Sequence, residues 1–397
     1  MAGIYIHIPF CKSRCLYCGF YSTTRSDLRQ RYVDAVCKEM EMRRLREEGK
    51  ELTEEGRSEK IETIYLGGGT PSQLTPDQLR QLFIYINKVY GMEGQSLRHP
   101  LHRSQEGLAL SEVTIECNPD DITEEYVAIL SQLPVNRVSM GVQTFSNERL
   151  HFLHRRHTAE QIPQAIDRLR AAGIQNISID LMYGFPDETL ADWHRDIEQA
   201  LALKVEHLSA YALMYEEGTP LYRLLEQGQV KEADEELSLQ MYSDLIDRLT
   251  AAGYEHYEIS NFARPGFRSR HNSSYWHDVP YIGLGAAAHS YDGHYRQWNV
   301  DDIEAYIEGI ETGQPMVERE EIDGLTRYNE RVMTALRTCE GLPLSTLSAH
   351  ERAYCLQQAQ RFLADALLQL SDDRLTLTRR GLFVSNMVMS ELMKVEN

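Results

Sequence analysis

Between Ile4 and Tyr211 six short apolar strands alternate with five amphipathic helices, each strand leading into a polar turn. The strands read as Ile4–Ile8, Ile61–Leu66, Glu112–Glu116, Arg137–Met140, Asn176–Met182 and His207–Tyr211, rich in β-branched residues and bounded by turn signals. Helical periodicity fills 27–45, 76–89, 123–132, 158–173 and 189–202 between them. Strand, helix, strand in succession means parallel pairing with right-handed crossovers. Six units are too few for a closed eight-stranded barrel, so the expected class is α/β with an open partial (β/α)6 barrel. In such folds the chemistry sits at the C-terminal ends of the strands. The distinctive polar residues of this sequence fall there.

The first of those ends is the most specific. Pro9 stops the first strand, and Cys11, Cys15 and Cys18 follow in a C-x3-C-x2-C spacing that can curl round one inorganic centre. Structural zinc normally takes four ligands, and no fourth Cys or His follows promptly. A [4Fe-4S] cluster also usually takes four thiolates. With three, one iron stays open to a ligand from outside the protein. Zinc and unliganded buried thiols are the alternatives.

The second strand leads into Gly67-Gly68-Gly69-Thr70, where glycine lets backbone come close to a ligand. It is not a phosphate loop, because no Gly-Lys-Ser/Thr follows. Glu116, Gln143, Arg155 and Asp180 come from the ends of later units. An Arg there can pair with a carboxylate, and an Asp or Glu can hold ribose hydroxyls; rim salt bridges and helix caps are the plainer reading. His154, Arg156 and His157 read as loop and cap residues. His7, inside the first strand, reads as a buried and satisfied histidine.

Charge and cysteine usage narrow the classes. A formal charge of -19 argues against a nucleic-acid partner. The N-terminus does not read as a signal peptide, and no run of about 20 apolar residues spans a bilayer. Seven cysteines, an odd number, suit reduced thiols of the cytoplasm. Cys37, Cys117, Cys339 and Cys355 are scattered and read as small core or near-core residues.

Past Leu213 the rhythm changes. A helix over 234–251 and a strand at Tyr257–Ile259 precede a loop-like, aromatic and glycine-rich stretch, Asn261–His294. Helices over 301–311 and 325–338 follow, then short helices around Leu344–His350 and 354–369, a hairpin at Arg374–Leu377 and a last helix over 380–393. Three domains are expected: 1–235, the partial barrel with its cluster loop; 236–320, an α/β extension; and 321–397, a small helical domain of winged-helix-like shape. The charge-dense run 47–60 reads as a solvated helix end or loop, and Gly91–Gly107, with His99 and His102, as a surface insertion.

The cysteine spacing just after a first strand resembles the radical SAM superfamily. The resemblance tightens over most of the chain: Tyr5-Ile-His-Ile-Pro-Phe10, Gly67-Gly-Gly-Thr-Pro71, Glu116 with Asn118-Pro119, Gly141-Val-Gln-Thr-Phe145, Arg155 and Asp180-Leu-Met-Tyr-Gly184 look like the oxygen-independent coproporphyrinogen III oxidase (HemN) family. That resemblance implies a [4Fe-4S] cluster on Cys11, Cys15 and Cys18, with S-adenosylmethionine (SAM) on its open iron. Tyr5, Gly68, Glu116, Gln143, Arg155 and Asp180 would contact SAM, Tyr17 would pack on its adenine, and Gly69 and Thr70 would line a second SAM position in the true oxidase.

Two motifs separate branches of the family. The oxidase pattern continues as C-x3-C-x2-C-x-C, whereas this chain has Cys18-Gly19-Phe20. Conversely, His271-Asn-Ser-Ser-Tyr275-Trp276 looks like the signature of the HemW-type heme chaperone branch. An imidazole can ligate heme iron, and aromatic rings can stack on a flat porphyrin, so His271, Tyr275 and Trp276 are the expected heme residues. A hydrogen-bonding loop histidine is the alternative for His271. The resemblance implies apo-hemoproteins as recipients of heme or a related tetrapyrrole, a cytoplasmic location with peripheral contact at the inner membrane, and a homodimer. The alternative function is radical oxidative decarboxylation of coproporphyrinogen III propionates to vinyl groups.

Overall fold

The structure, a computed structural model, describes residues 2–48, 61–90 and 110–395. The insertion at 91–107 and the charged run from residue 49 to Lys60 lie outside the described residues. The six strands are β1 (Ala2–Ile8), β2 (Ile61–Gly68), β3 (Glu112–Cys117), β4 (Arg137–Gln143), β5 (Asn176–Tyr183) and β6 (His207–Ala212). They pair in sequence order and all in parallel, as the repeated unit requires. The chain is an α/β protein built on a partial barrel and followed by a smaller, mainly helical region.

Alternation along the strands explains the packing. Ile4, Ile6, Ile8, Ile64, Leu66, Val113, Ile115, Val138, Ile177 and Ile179 point outward and are fully buried against the helices. The other face carries Tyr5, His7, Thr63, Tyr65, Glu112, Thr114, Glu116, Arg137, Ser139, Ser178, Asp180, His207 and Ser209. A closed barrel of eight strands fills its interior with branched apolar side chains. This one has a polar lumen.

Residues 236–320 extend the same sheet at both edges. After the helix Glu235–Ala251, β7 (Glu255–Glu258) and β8 (Asn261–Ala263) join beside β6, with β8 antiparallel to it. On the other side β9 (Tyr281–Leu284) runs parallel to β1, followed outward by β10 (His289–Tyr291), β11 (Tyr295–Asn299) and β12 (Val317–Glu321). The expected loop over Asn261–His294 is therefore corrected: it holds β8, the helix Arg270–Trp276, β9 and β10. Strands of three or four residues are too short to show alternation, and β12, Val-Glu-Arg-Glu-Glu, is wholly exposed and has no apolar face to read.

The C-terminal region has its own core of Tyr328, Val332, Leu336, Phe362, Leu375 and Met389. A three-stranded sheet of β13 (Leu342–Pro343), β14 (Leu368–Ser371) and β15 (Arg374–Leu377) closes it. Cys37, Cys117 and Cys355 are buried, but Cys339 is exposed, against the expectation of a near-core residue; it lies beside Arg268 in a turn after a helix end.

Candidate functional site at the C-terminal end of the barrel

The cysteine loop leaves β1 at Pro9 and is clamped from three sides. Cys11 N–H donates to Thr23 O at 2.9 Å, Leu16 N–H to Leu153 O at 3.1 Å, and Leu221 N–H to Leu16 O at 3.0 Å. The three thiols line one cavity of about 190 Å³ over the C-terminal ends of the parallel strands. Tyr17, Gly68, Gly69, Thr70, Glu116, Gln143, Arg155 and Asp180 line the same cavity, so residues far apart in sequence meet there. Tyr5 lies outside it; its hydroxyl meets His7 Nδ1 at 3.1 Å.

Each wall has a physical cause. Gly68 has φ +111°, and a Cβ there would stand 2.7 Å from the His7 ring; a Cβ at Gly69 would stand 2.7 Å from the Pro9 carbonyl carbon. The loop can approach the cysteine strand this closely only without side chains. Gln143 ends β4 at φ +70°, a left-handed conformation that is uncommon outside glycine. Arg155 reaches across the cavity: Nη1 lies 3.6 Å from Cys15 Sγ, and Nη2 donates to Asn118 Oδ1 at 2.8 Å and to the Gly141 carbonyl. Thr70 Oγ1 is 3.4 Å from Cys11 Sγ.

Two carboxylates form the floor. Glu116 accepts from Tyr65 O–H at 2.7 Å and from Gly68 N–H at 3.1 Å. Burial, helped by the nearby Asp180 charge, pushes its carboxyl up to about 7 against the hydrogen bonds. Asp180 is pushed up to about 6, again by burial. Burial also raises Cys11, and Cys18 to about 11, so these two thiols would give up their protons only to a bound metal.

The donor set fits a [4Fe-4S] cluster with SAM. Three thiols share one wall, a guanidinium stands beside Cys15, and the glycine cradle would be filled by any Cβ. Among the described residues no three ligating side chains converge as a single metal ion requires. A cube of iron needs each thiolate on its own iron, so the two statements agree.

The His271 segment lies elsewhere. Ser269 caps the helix Arg270–Trp276, which plugs the N-terminal end of the lumen, opposite the cysteines. His271 is fully buried; its Nδ1 meets Thr63 Oγ1 at 2.8 Å and its Nε2 meets Tyr275 O–H at 2.8 Å. Both ring nitrogens are thus engaged, and in this arrangement His271 is a hydrogen-bonded core histidine on a helix. Tyr275 and Trp276 are half-buried, with Arg337 5.1 Å from the Trp276 ring centre. Glu112 accepts from the Arg270 and His271 amides at 3.0 Å each.

Several neighbours read differently or went unread in sequence. Arg156 braces the rim through Asp120 at 2.8 Å and Asp121 at 3.0 Å, and His157 is buried against the Val142 carbonyl. His7 is buried between Tyr5 and the Tyr21 carbonyl, as expected. Ser139 and Gly141 also line the cavity, and Phe20 stands 75% exposed at its mouth. The alternation Arg137-Val-Ser139-Met-Gly141 is the signal for the first two.

A partial parallel barrel with three cysteines after its first strand defines a class, the radical SAM fold. Comparisons agree: the Radical SAM superfamily model matches residues 5–200, and the HemN C-terminal domain model matches 322–384. The solved structure of coproporphyrinogen III oxidase (HemN) from Escherichia coli superposes with a TM-score of 0.80, covering 98% of this chain and 89% of that one at 21% identity. The heme chaperone HemW of Bacillus subtilis is 36% identical over 86% of this chain and 85% of its own. That of Lactococcus lactis is 31% identical over 98% and 96%. The chain belongs to the HemW family of the radical SAM superfamily. No helix among the described residues is long and apolar enough to cross a membrane.

Proposed function

We propose that this protein binds heme and hands it to apo-hemoproteins, and that it carries a [4Fe-4S] cluster and SAM. The observation that carries the reading is the near end-to-end relationship to proteins named heme chaperones, in a chain whose three cysteines line one cavity with Tyr17, Gly68, Glu116, Gln143, Arg155 and Asp180. Phe20 standing where the oxidase pattern has a fourth cysteine supports it further.

Cys11, Cys15 and Cys18 hold the cluster in this reading. Bound together, cluster and SAM supply one-electron chemistry. Arg155, beside Cys15, receives negative charge from SAM, and the Gly68–Gly69 backbone receives its methionyl end. Glu116 and Asp180 accept from hydroxyl or amino groups, Gln143 contributes its amide, and Tyr17 covers the adenine. Gly69 and Thr70 would border a second SAM position if one exists. Tyr5 acts through His7 and Tyr65, which its ring touches, rather than by lining the cavity.

Heme engages the helix Arg270–Trp276 at the half-buried Tyr275 and Trp276. Ligation by His271 would require one of its two bonds, from Nδ1 to Thr63 or from Nε2 to Tyr275, to be exchanged for iron. The recipients are apo-hemoproteins, in the cytoplasm and at the inner membrane surface, and the carrier works as a homodimer.

The test is a pair of anaerobic assays on the reconstituted protein. Heme should bind and pass to an apo-hemoprotein, and His271→Ala should weaken heme binding. With reductant, SAM and coproporphyrinogen III, no vinyl product should form while an oxidase control turns over. Stoichiometric 5'-deoxyadenosine with decarboxylated product would make the protein an oxidase; unchanged heme affinity in His271→Ala would remove that residue from the heme site.

A further inference from the structure

The strands β9, β10 and β11 that extend the barrel have an inner face, and pairing identifies it. Tyr281 opens β9 opposite Gly3, and a Cβ at Gly3 would stand 3.0 Å from the His271 ring, so this side faces the lumen. Tyr281 pairs with Tyr291, and Tyr291 with Arg296, which puts all three on that side. Two residues away along each strand, His289 pairs with Trp298 on the same side. Ser290, between His289 and Tyr291, points the other way and accepts from Arg43 of the helix Arg29–Glu48 at 2.8 Å.

The helix Arg270–Trp276 covers only part of this face. Tyr275 meets Tyr281 edge-on at 4.7 Å, and Tyr291, whose hydroxyl donates to Asp278, is buried. His289 is exposed and Trp298 half-buried, and their rings stack 5.5 Å apart and 24° from parallel. Stacking holds an imidazole by its face and leaves the two nitrogens at its edge open. Among the described residues neither nitrogen of His289 has a hydrogen-bond partner. Every other described histidine held against an aromatic ring has a nitrogen engaged: His7 by Tyr5 and the Tyr21 carbonyl, His207 by Ser178 and Tyr257, His256 by the Ile259 carbonyl, and His271 by Thr63 and Tyr275. Burial, and then the Arg296 charge, hold His289 below its ordinary ionisation, so at pH 7 it is the neutral imidazole that binds metals.

We propose that His289 is the axial imidazole for the iron of the carried heme, oriented by Trp298, with the heme lying against the uncovered inner face of β10 and β11. The proposal rests on the reading that this protein carries heme. His289 can reach iron without giving up a bond, whereas His271 must break one. The two sets of residues then divide the work: Tyr275 packs on the porphyrin from the helix, His271 holds Tyr275 in place, and His289 supplies the nitrogen that iron takes.

The experiment is an anaerobic hemin titration of the cluster-reconstituted full chain, followed at the Soret band, with magnetic circular dichroism of the complex to report imidazole ligation. Wild type, His289→Ala, His289→Gln and His271→Ala are compared, each first matched to wild type in cluster content and circular dichroism. Both His289 variants should bind hemin about tenfold or more weakly and lose the imidazole signature, and free imidazole should restore that signature in His289→Ala. His271→Ala should weaken binding through the loosened Tyr275 and keep the signature. Wild-type affinity and signature in His289→Ala, loss of the signature in His271→Ala alone, or a wild-type complex with no imidazole signature overturns the proposal while leaving heme binding in place. Wild-type protein that binds no hemin overturns the heme reading and the proposal with it. Should His289→Ala not fold, His289→Gln, which keeps a polar side chain of similar size at this exposed position, decides by the same two readouts.

Discussion

The two ends of the barrel lumen are built from the same strands and are opposites. At the N-terminal end the polar groups around His271 have found protein partners, while Arg137, the first residue of β4, keeps Nε and Nη1 without one. Glu112 takes the amides of a helix start, Thr63 and Tyr275 take both nitrogens of His271, and Tyr65 stacks on that ring at 5.2 Å. At the C-terminal end the groups are left ready. Three thiols face a cavity, a guanidinium crosses it, two carboxyls carry raised ionisation, and Gln143 is held at positive φ. Satisfied polar groups stabilise a fold, whereas strained and perturbed ones mark where a ligand completes the structure. On the proposed function the C-terminal end takes the cluster and SAM, while the His271 end braces the barrel and offers heme only the half-buried Tyr275 and Trp276.

If the assignment holds, mutations at the two ends fail in different ways. The largest effect is Cys15→Ala, which should abolish cluster reconstitution, read as loss of iron and of the cluster's visible absorption, while circular dichroism of the apoprotein stays unchanged. Next, Glu112→Ala removes a buried carboxylate that accepts two short amide bonds. It should cost about 4 kcal/mol of stability in denaturant unfolding, because charge-assisted bonds contribute about 1.5–3 kcal/mol each. Cluster content in the protein that remains folded should be normal.

Glu116→Gln tests the open end through pH. A carboxyl raised to about 7 in the folded chain, from about 4.5 unfolded, contributes stability below pH 4.5 that is lost as pH rises through 7. Wild-type apoprotein should therefore lose about 2.5 kcal/mol between pH 5 and 8 on this account, and Glu116→Gln should lose that much less. Equal pH dependence in the two proteins would place Glu116 in water rather than in the floor. The smallest effect is Tyr275→Phe, which removes one hydrogen bond to His271 and should cost about 1 kcal/mol in thermal unfolding, with SAM binding unchanged.

What the sequence made legible follows the same division. Repeated strand and helix periods gave the order and direction of six strands, because each strand is long enough to alternate. The cavity residues were legible because they lie in the C-terminal half of a strand or in the connection after it, where a parallel sheet must deliver them. The short elements between Asn261 and Tyr291 were not legible. A seven-residue helix and strands of three or four residues carry no period, and their order beside β1 and β6 is set by tertiary pairing. In sequence His271 stands in an apparent loop and reads as a candidate heme ligand, with a hydrogen-bonding loop histidine as the alternative. Only the fold shows that Gly3, at the start of β1, leaves space for its ring, with a Cβ there lying 3.0 Å from it. Arg137 was read only as the first residue of a strand; its burial depends on strands that join from far along the chain.

The measurement that tests the contrast most directly is SAM stoichiometry by equilibrium dialysis on two cluster-reconstituted variants, Asp180→Asn and His271→Ala. The account predicts that Asp180→Asn weakens SAM binding about tenfold or more, by removing a charged acceptor from the cavity floor, and that His271→Ala leaves it at the wild-type level. Normal binding in Asp180→Asn together with lost binding in folded His271→Ala would contradict the assignment of the two ends.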